Sequence, residues 1–387
     1  MSKKRVALYQ IMLSGRHFRG PDIFFPDFFR AYQEFPSAFE LYFIIKTDNE
    51  GEVRDYFISR GVRLDKVVFL PAISNRFKAQ LEWHQLKSKL RKLRIDVFHL
   101  VTINSPDEQI PQLRKLAGRK QKLAFTVTYN GIPTAFREDY DSRFEKDRKK
   151  YGRLFRTVQF DGLLSWYHDI EPFVESSELF GTKPLVYTVN SRFCDMKRFK
   201  PEKKEKLIVF ASALVNYKHP MMFMKAVKMA KEHLTSQFDD WRIQVIGTGP
   251  CETEVREFVE QSGLESSVDI IPGLNDISPL LNKSMVYLSC QELENFPSLA
   301  MNEAMASGNM IIARDVGRTN LFVHDGKNGF LAKEDSAKGI ADCLIEILAN
   351  PERHQELMDH SRWMTENIHT PENFIKQCDE FWSKLLS

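Results

Sequence analysis

In residues 293–308, LENFPSLAMNEAMASG, a short polar loop leads into a run of helix-forming residues. The loop enters this run through Phe296-Pro297-Ser298, and proline suits the first turn of a helix because its missing N–H needs no partner there. Gly308 suits the position just past a helix end. The apolar run Met310–Ala313 that follows predicts a buried strand. The loop therefore leads to the N-terminus of a helix that is followed by a strand.

The start of this predicted helix is suited to an anion. The first N–H groups of a helix have no partner within it, and the helix dipole places positive potential there. We expect the segment Phe296, Pro297, Ser298 and Leu299 to surround a phosphate. Each of these residues except Pro297 has an N–H that can donate to it. Glu303 follows roughly 9 Å further along the helix and can accept hydrogen bonds from sugar hydroxyls. An ordinary buried helix fits the same residues.

At these residues the chain resembles the retaining glycosyltransferases of family 4 (glycosyl transferases group 1), which have the GT-B fold. Their signature is a Glu, seven residues, and a second Glu that opens a run such as EAMASG, which is intact at Glu303–Gly308. Glu294 and Glu303 enclose eight residues, and Asn295 occupies the usual spacing. In the family the second Glu binds the donor ribose and the first lies near the transferred sugar. The resemblance implies the ribose role for Glu303 and leaves the first role to Glu294, through a bulge, or to Asn295.

Length and composition limit the classes of protein that this chain can be. A chain of 387 residues with 43% hydrophobic residues is long enough for two globular domains. Its five cysteines are odd in number, widely spread and without a C-x-x-C pair, which predicts a reducing compartment without a disulfide framework or zinc site. No apolar run is long enough for a signal peptide or a membrane span. We therefore expect a cytoplasmic protein.

The charge is unevenly distributed between the two halves. Residues 1–200 hold 36 Lys and Arg against 24 Asp and Glu, a net charge of +12, whereas residues 201–387 hold 19 against 28, a net charge of −9. A basic half next to an acidic half favours an anionic surface or acceptor as the partner of the first half. A chance distribution of solvated charge is the alternative.

Apolar runs alternate with segments of helical period through both halves, a pattern typical of parallel α/β domains. It predicts an α/β architecture of two Rossmann-like domains facing a cleft, 1–200 and 201–387, with the final helix free to pack back on the first domain. The resemblance implies that this architecture is the GT-B fold. The basic stretch Lys197–Lys206 marks the boundary. Predicted strands are Arg5–Met12, Glu40–Ile45, Lys66–Leu70, Asp96–Val101, Lys122–Val127, Gly162–Trp166, Leu185–Val189, Leu207–Ala211, Trp241–Ile246, Val268–Ile271, Met285–Ser289 and Met310–Ala313. Predicted helices are Asp27–Glu34, Phe77–Leu93, Ser142–Val158, Met221–His233 and Glu252–Ser262, with a long helical tail from Ser336.

Residues 210–218, FASALVNYK, resemble the family's Gly-Arg-Leu…Lys segment, in which the Arg and the Lys hold the donor diphosphate. Lys218 falls on the Lys position, but Ala213 falls on the Arg position. One of two phosphate-binding cations is therefore absent, and a contact of about 1.5–3 kcal/mol must come from elsewhere or is missing. A solvated lysine at the start of a helix is the alternative for Lys218.

Three further turns match the family in order, and the resemblance assigns them to the donor. Gly247 opens a Gly-x-Gly-Pro turn, although an ordinary strand-to-helix turn explains it equally well. Gly273 and Leu274 close the next strand, where the family presents backbone groups to the nucleobase. Thr319 belongs to a loop in which Arg318 replaces the family's second Gly. That arginine either restores the charge that is missing at residue 213 or is an ordinary surface residue.

The first half offers weaker candidates. Gly15 and Arg16 follow the first strand, where the family places a glycine-rich loop on the acceptor side; a plain turn is the alternative. Asn130 stands where many members have a His that touches the donor sugar, and Asn-Gly also predicts a simple turn. An asparagine can hydrogen-bond a sugar hydroxyl but cannot transfer a proton. His168 is a further acceptor-side candidate, with a structural role as the alternative.

Three other patterns have two interpretations each. Residues 83–94 predict a helix with an apolar stripe and a basic rim, which either docks on anionic lipid or packs on the sheet. The aromatic run 23–29 is either core or a contact for an apolar acceptor. Asp139-Tyr140-Asp141 matches the metal-binding D-x-D of the other major glycosyltransferase fold, but it lies in a charged linker rather than at a strand end. We therefore expect no metal site.

Together these resemblances imply a retaining glycosyltransferase acting on a glycan or glycolipid acceptor in cell-envelope polysaccharide synthesis. Its co-substrate is a nucleotide-diphosphate sugar, with a UDP-sugar favoured over a GDP-sugar, and no cofactor is expected. The expected partners include an anionic membrane surface, through peripheral contact at its inner face, but no nucleic acid. The alternatives are a catalytically degenerate binding subunit, favoured by the residues at 213 and 130, and a GT-B sugar epimerase, which the loop order disfavours.

Overall fold

The computed structural model describes residues 3–13, 20–72, 76–101, 114–115, 120–128, 131–137, 141–274, 276–296 and 298–387. The chain forms two compact units, one made of Met1–Asn190 with Pro371–Ser387 and the other of Ser191–Thr370. The chain thus leaves the first unit before the basic stretch at 197–206 and returns to it for the last helix.

The first unit is built on a parallel sheet whose strands are ordered β3-β2-β1-β4-β5-β6-β7 in the described residues. Most of these strands are continuous apolar runs, because helices cover both faces of such a sheet. Its strands are β1 (Lys4–Ile11), β2 (Phe39–Thr47), β3 (Val67–Pro71), β4 (Val97–Leu100), β5 (Lys122–Val127), β6 (Gly162–Ser165) and β7 (Leu185–Thr188). Its helices include α1 (Gly20–Glu34), α2 (Glu50–Ser59), α3 (Arg76–Leu93), α4 (Gly131–Thr134), α5 (Glu145–Thr157) and α6 (Ile170–Ser176).

The second unit has a parallel sheet of its own, ordered β10-β9-β8-β11-β12-β13. Its strands are β8 (Glu205–Ala211), β9 (Arg242–Ile246), β10 (Val268–Ile271), β11 (Ser284–Ser289), β12 (Met310–Arg314) and β13 (Gly329–Ala332). Its helices include α7 (Pro220–Leu234), α8 (Glu252–Gln261), α9 (Ser278–Lys283), α10 (Leu299–Ala306), α11 (Ala337–Ala349) and α12 (His354–Asn367).

The last helix, α13 (Pro371–Leu386), belongs to the core of the first unit. The indole N–H of Trp382, a fully buried side chain, donates to Nδ1 of His99 over 3.1 Å. A Cβ at Gly162 on β6 would come within 2.9 Å of Phe381 and Leu385, so a larger residue there would force these side chains of the helix to shift. The chain therefore completes its N-terminal unit with its C-terminal residues.

The predicted α/β fold is confirmed, and each predicted strand ends within two residues of an observed one. One helix boundary was wrong: the first helix begins at Gly20 rather than Asp27. Of the two interpretations of the aromatic run on this helix, the structure favours core, since Phe24 and Phe25 are buried. The predicted helical tail is confirmed and consists of three helices, α11 to α13, because Asn350-Pro351 and Thr370-Pro371 interrupt the helical pattern.

Candidate functional site

The predicted donor residues lie at one edge of the second sheet, because the carboxyl ends of parallel strands meet there. The strand order changes direction between β8 and β11. In open parallel sheets, ligands bind at such a reversal, outside the carboxyl ends of the strands. The loops that begin there, 212–219 after β8 and 290–298 after β11, hold Lys218 and the Glu294–Ser298 segment. The candidate site is therefore the carboxyl edge around β8 and β11.

The two loops at the reversal are joined by hydrogen bonds. Nζ of Lys218 donates to the side-chain carbonyl of Gln291, whose amide in turn donates to the backbone carbonyl of Glu294. The N–H of Glu292 donates to the carbonyl of Tyr217 over 3.0 Å. Burial lowers the pKa of Lys218 to about 8, so the amine is mostly charged at pH 7. Gln291 was missed in the sequence, although its place directly after a central strand is a signal for a site residue.

Glu294 is buried, with 3% of its surface exposed, and its carboxylate is fixed by backbone groups. Its Oε1 accepts from the N–H of Phe296 over 3.2 Å and from the N–H of Arg318 over 2.6 Å. Gly317 makes this approach feasible: its φ is +54°, and a Cβ there would lie 2.4 Å from Oε2 of Glu294. The loop after β12 therefore holds the carboxylate in one position.

The side chain of Asn295 is directed into the protein. Its Oδ1 accepts from Oγ of Ser289 over 2.7 Å, and its Nδ2 donates to Oγ1 of Thr319 over 3.0 Å and to the carbonyl of Arg314 over 3.4 Å. Asn295 and Thr319 are both fully buried, and the hydroxyl of Thr319 donates to Val316 over 2.5 Å. These contacts give Asn295 and Thr319 a visible structural role: they join the loops after β11 and β12.

Helix α10 begins with a side-chain cap. Oγ of Ser298 accepts from the N–H of Met301 over 3.3 Å, the arrangement that serines commonly make at the start of a helix. The N–H of Ser298 donates to the carbonyl of Asn295 over 2.6 Å. The N–H of Phe296 donates to Glu294, and that of Ser298 donates to Asn295. Two of the amides that we expected to face an anion are therefore used within the loop.

The amides of Leu299 and Ala300 remain available at this helix end. Within the part of the chain that the structure describes, neither N–H donates to any group. Both residues are half-buried rather than covered. Pro297 lies outside the described residues. The free donors of α10 therefore start at Leu299, the last residue of the predicted phosphate-binding set.

Glu303 lies on α10 with 9% of its surface exposed. Burial, the larger cause, and the nearby charge of Glu303 both raise the pKa of the Tyr287 hydroxyl on β11. The hydroxyl of Tyr287 donates over 3.2 Å to the carbonyl of Ala211, the last residue of β8. These relations place the Glu303 carboxylate near the reversal point of the sheet.

The glycine turn after β9 packs directly on the loop after β8. A Cβ at Gly247, whose φ is +149°, would lie 1.9 Å from the carbonyl oxygen of Ser212, and one at Gly249 would lie 2.3 Å from that of Leu214. The N–H of Leu214 donates to the carbonyl of Thr248 over 3.0 Å. Backbone packing thus explains the need for glycine at both positions.

The turn after β10 is open. Gly273 and Leu274 are both exposed, and a Cβ at Gly273 would meet nothing within 4 Å. Leu274 exposes 44% of its surface, which is unusual for a large apolar side chain. This turn is therefore accessible to a ligand, but its glycine is not required by its surroundings.

Arg318 brings a second cation to the loop that holds Glu294. Its guanidinium carbon lies 5.3 Å from the centre of the Phe296 ring. Burial lowers the pKa of Arg318, and the nearby Glu294 partly offsets that change. Ala213, which stands at the family's arginine position, is exposed. Lys218, through Gln291, and Arg318 therefore contact the same loop.

The acceptor-side candidates are not brought together in the described residues. Gly15, Arg16 and Asn130 lie outside them. His168 is exposed before α6, with its Nε2 3.2 Å from Oδ1 of Asp169. Asp141, the described member of the D-x-D motif, accepts from the N–H of Arg143 over 2.9 Å as a cap. Among the residues described, no three His, Cys, Asp or Glu side chains are grouped to hold a metal ion.

Residues 192–363, most of the second unit, match the family model of the glycosyl transferases group 1. An uncharacterised glycosyltransferase of Haemophilus influenzae is 28% identical over 211 residues, which cover 54% of this chain and 57% of that protein. The chain thus spans little more than half the length of this relative. A Campylobacter jejuni protein is 22% identical over 90% of this chain and 98% of its own length; it is named as an alpha-1,4-N-acetyl-D-galactosaminyltransferase for a GalNAc-containing diNAcBac-PP-undecaprenol. The family match and these relatives support a glycosyltransferase.

Solved structures share the fold. Anabaena HepE in complex with UDP and glucose superposes with a TM-score of 0.72 at 12% identity, covering 98% of this chain and all of that one. At this identity the likeness establishes architecture alone. The two parallel sheets with their helices are those of the GT-B fold.

Proposed function

We propose that this chain is a retaining glycosyltransferase that transfers a sugar from a nucleotide-diphosphate donor, most favourably a UDP-sugar, to a glycan or glycolipid in cell-envelope polysaccharide synthesis. The observation that carries the proposal is the pair of free amides at Leu299 and Ala300, placed at the reversal point of a parallel sheet. Lys218 and Arg318 contact the loop that leads to these amides. Donors and cations that converge in this way fit a diphosphate.

The chemistry follows from where charge develops. As the bond to the sugar breaks, negative charge grows on the diphosphate, and prearranged amides and cations stabilise that charge without reorganisation. Glu303 accepts hydrogen bonds from the ribose hydroxyls. Glu294 takes the place near the sugar, since two backbone N–H groups hold its carboxylate while the side chain of Asn295 is engaged within the protein. No step in this scheme requires a metal ion.

The acceptor is proposed to carry phosphate or a lipid diphosphate. The excess of Lys and Arg in residues 1–200 supports an anionic acceptor. The name of the Campylobacter relative, with its PP-undecaprenol group, supports the same class.

We also propose cytoplasmic localisation with peripheral contact to the inner face of the membrane. No helix in the described ranges is both long and apolar enough to span a bilayer. Insertion through the apolar stripe of α3 is excluded, because Trp83, Leu86 and Leu90 are buried in the core. The contact would therefore be electrostatic, through the exposed basic side chains of the first unit.

A degenerate, sugar-binding subunit is the second candidate, and the exposed alanine at residue 213 favours it. Turnover separates the two. The enzyme should release the nucleotide from its donor slowly even without an acceptor, whereas a binding subunit should hold the donor intact.

The first experiment is a thermal-shift screen with UDP, GDP and their common sugar conjugates. Tight binding raises the free energy of unfolding by RT ln(1+[L]/Kd), about 2.7 kcal/mol at a hundredfold excess over Kd. UDP and one UDP-sugar should stabilise the chain most. Incubation of that sugar donor with lipid extracts, followed by NMR of the product, then reports whether the anomeric configuration is retained. A chain that is stabilised by no nucleotide contradicts the proposal.

A further inference from the structure

The far end of α10 is held by two cations. Nζ of Lys204 donates to the carbonyl of Ser307, the residue that ends the helix, over 2.6 Å. A guanidinium N–H of Arg362 on α12 donates to the carbonyl of Ala306. Each cation also binds a second carbonyl: Lys204 that of Ser284 over 2.8 Å, and Arg362 that of Phe199 over 3.0 Å. The last carbonyls of the proposed donor helix are therefore tied to the segment before β8 and to α12.

Neutral groups already provide hydrogen bonds in this region. Nδ2 of Asn309 donates to the carbonyl of Ala304 over 2.9 Å, and Oγ of Ser307 donates to Oδ1 of Asn282 over 2.9 Å. These polar side chains are almost fully buried. Neutral donors could also have capped the carbonyls of Ala306 and Ser307. The use of two cations there therefore suggests a role beyond hydrogen bonding. A half-buried amine is costly to charge, and burial lowers the pKa of Lys204 to about 7.

We propose that Lys204, together with Arg362, is a positioning residue for donor binding: the two cations fix the C-terminal end of α10 and so orient the free amides of Leu299 and Ala300 at its other end. A cation at a helix C-terminus interacts favourably with the helix dipole. The positive charge of Lys204 also lies one helix length from the proposed diphosphate, roughly 12 Å for the eight residues of α10. This inference rests on the proposed function, since it assigns the donor to α10.

Few charged groups face Lys204. Glu202 on its own segment raises the pKa of the amine in opposition to burial. Arg362 approaches from α12 through the neighbouring carbonyl and is paired with Glu366 over 2.7 Å. The carbonyls that accept from Lys204 belong to Ser284, the first residue of β11, and to Ser307, just past the end of α10. Lys283 of α9 pairs with Glu205 over 3.9 Å. The charge of Lys204 therefore depends on pH near neutrality and is lost as pH rises through about 7.

The test measures UDP affinity by calorimetry for the wild type, Lys204→Met, Lys204→Arg and a control, Lys206→Met. Lys206 lies two residues away, is exposed and pairs with Asp240 at the surface. We expect Lys204→Met to weaken UDP binding about three- to tenfold, the scale of a helix-end charge. Lys206→Met should bind as the wild type does. Lys204→Arg keeps the charge and should bind at least as well as the wild type at pH 8.

A pH series distinguishes positioning from simple structural support. Between pH 6 and 8.5 the affinity of the wild type should fall relative to that of Lys204→Arg, because only the lysine loses its charge. The ionisation of UDP and of Lys218 affects both proteins alike and cancels in this ratio. The pH series compares only the wild type and Lys204→Arg. It therefore tests the positioning role even if Lys204→Met is unstable.

Three outcomes are informative. A constant ratio across the series, or a folded Lys204→Met with wild-type affinity, overturns the positioning role while leaving the proposed function intact. A wild type that binds neither UDP nor GDP overturns both. Weaker binding by Lys204→Met with a ratio that falls as pH rises supports the inference.

Discussion

At the scale of single residues, Glu303 gives the most direct test of donor binding. Glu303→Ala should weaken UDP binding by about 1–3 kcal/mol, because two ribose hydroxyls lose their acceptor. Glu303→Gln, which keeps one acceptor oxygen and the volume of the side chain, should lose less. Calorimetry gives the affinities, and circular dichroism checks that both variants are folded. Unchanged UDP affinity in a folded Glu303→Ala protein refutes the ribose role.

Gly317 allows the position of Glu294 to be disturbed without changing its chemistry. A Cβ at Gly317 would lie 2.4 Å from Oε2 of Glu294, so Gly317→Ala must displace the carboxylate or the loop. Gly326 is a matched control: its φ of +73° is also positive, but a Cβ there would meet nothing within 4 Å. Both substitutions cost about 1 kcal/mol of backbone strain. We expect Gly317→Ala alone to lower turnover, by at least tenfold.

Glu294 and Asn295 should differ in kind. Glu294→Gln should abolish most transfer with little change in stability, because the amide oxygen can still accept from the backbone donors. Asn295→Ala removes three hydrogen bonds from a buried position and should lower the free energy of unfolding by about 1–3 kcal/mol, with a smaller effect on transfer. Parallel melting and activity assays separate the two results. Equal, mild effects on turnover would remove both residues from the catalytic set.

The sequence assigned Lys218 and Glu303 to the donor through motifs that resemble those of the family. The structure shows that both lie near the reversal point of the sheet. The sequence could not choose between Glu294 and Asn295. Their side chains have different partners, Arg318 for Glu294 and Thr319 for Asn295, and each partner lies 24 residues further along the chain. Spacing along the chain carries no information about such contacts. Lys204 was missed for the same reason, since its partners at residues 284 and 307 are brought to it only by the fold.

At the scale of elements, strands were easier to predict than helices. Central parallel strands are continuous apolar runs, so their ends are visible in the sequence. Helix α2 carries only two buried residues, Val53 and Phe57, and therefore lacks a clear apolar stripe. The docking of α13 on the first unit also had no local signal beyond the Pro371 that starts it. It depends on the room left by Gly162 and on the imidazole of His99.

The His99 contact makes the first unit sensitive to acid. The indole of Trp382 can only donate, so Nδ1 of His99 must accept and the ring must be neutral. Burial lowers the pKa of His99 to about 3 from its ordinary 6.5. The unfolded chain takes up a proton below pH 6.5 and the folded one does not, so stability falls as pH falls. The loss from this group is about 2 kcal/mol at pH 5.

Denaturant melts at pH 7 and pH 5 check this prediction. His99→Gln should be less stable than the wild type at pH 7 but should lose less stability between the two pH values. His369 in the second unit has a pKa lowered to about 4 by burial and contributes a similar loss that this variant retains. An equal pH dependence in His99→Gln and the wild type would show that His99 titrates normally.

At the scale of the whole molecule, the charge division persists when the chain is divided by its structural units. The first unit holds 34 Lys and Arg against 26 Asp and Glu, and the second holds 21 against 26. Part of the positive charge lies on α5, where Lys146, Lys149, Arg153 and Arg156 are exposed. Buried residues of α3 and α5 belong to one hydrophobic core, so both helices direct their basic rims away from that core. The sequence analysis singled out α3 alone, although α5 also buries an apolar face made of Tyr151, Leu154 and Phe155.

These rims predict salt-dependent binding to anionic vesicles. Each Lys or Arg close to such a surface contributes about 1 kcal/mol, screened within a Debye length of about 8 Å at physiological salt. Reversal of four α5 cations to Glu should therefore abolish binding, and reversal of four α3 cations should weaken it. Reversal of four exposed lysines of the second unit should leave most of it. The α5 set is Lys146, Lys149, Arg153 and Arg156; the α3 set is Lys87, Lys89, Arg91 and Lys92; the control set is Lys203, Lys206, Lys225 and Lys333. Co-sedimentation with phosphatidylglycerol vesicles from 50 to 500 mM salt measures the effect. UDP affinity should be unchanged in the α5 and α3 variants because the donor residues lie in the second unit. If the wild type does not bind these vesicles at low salt, the proposed membrane contact is wrong. If reversal of the control set weakens binding as much as reversal of the α5 set, binding depends on overall charge rather than on the basic rims.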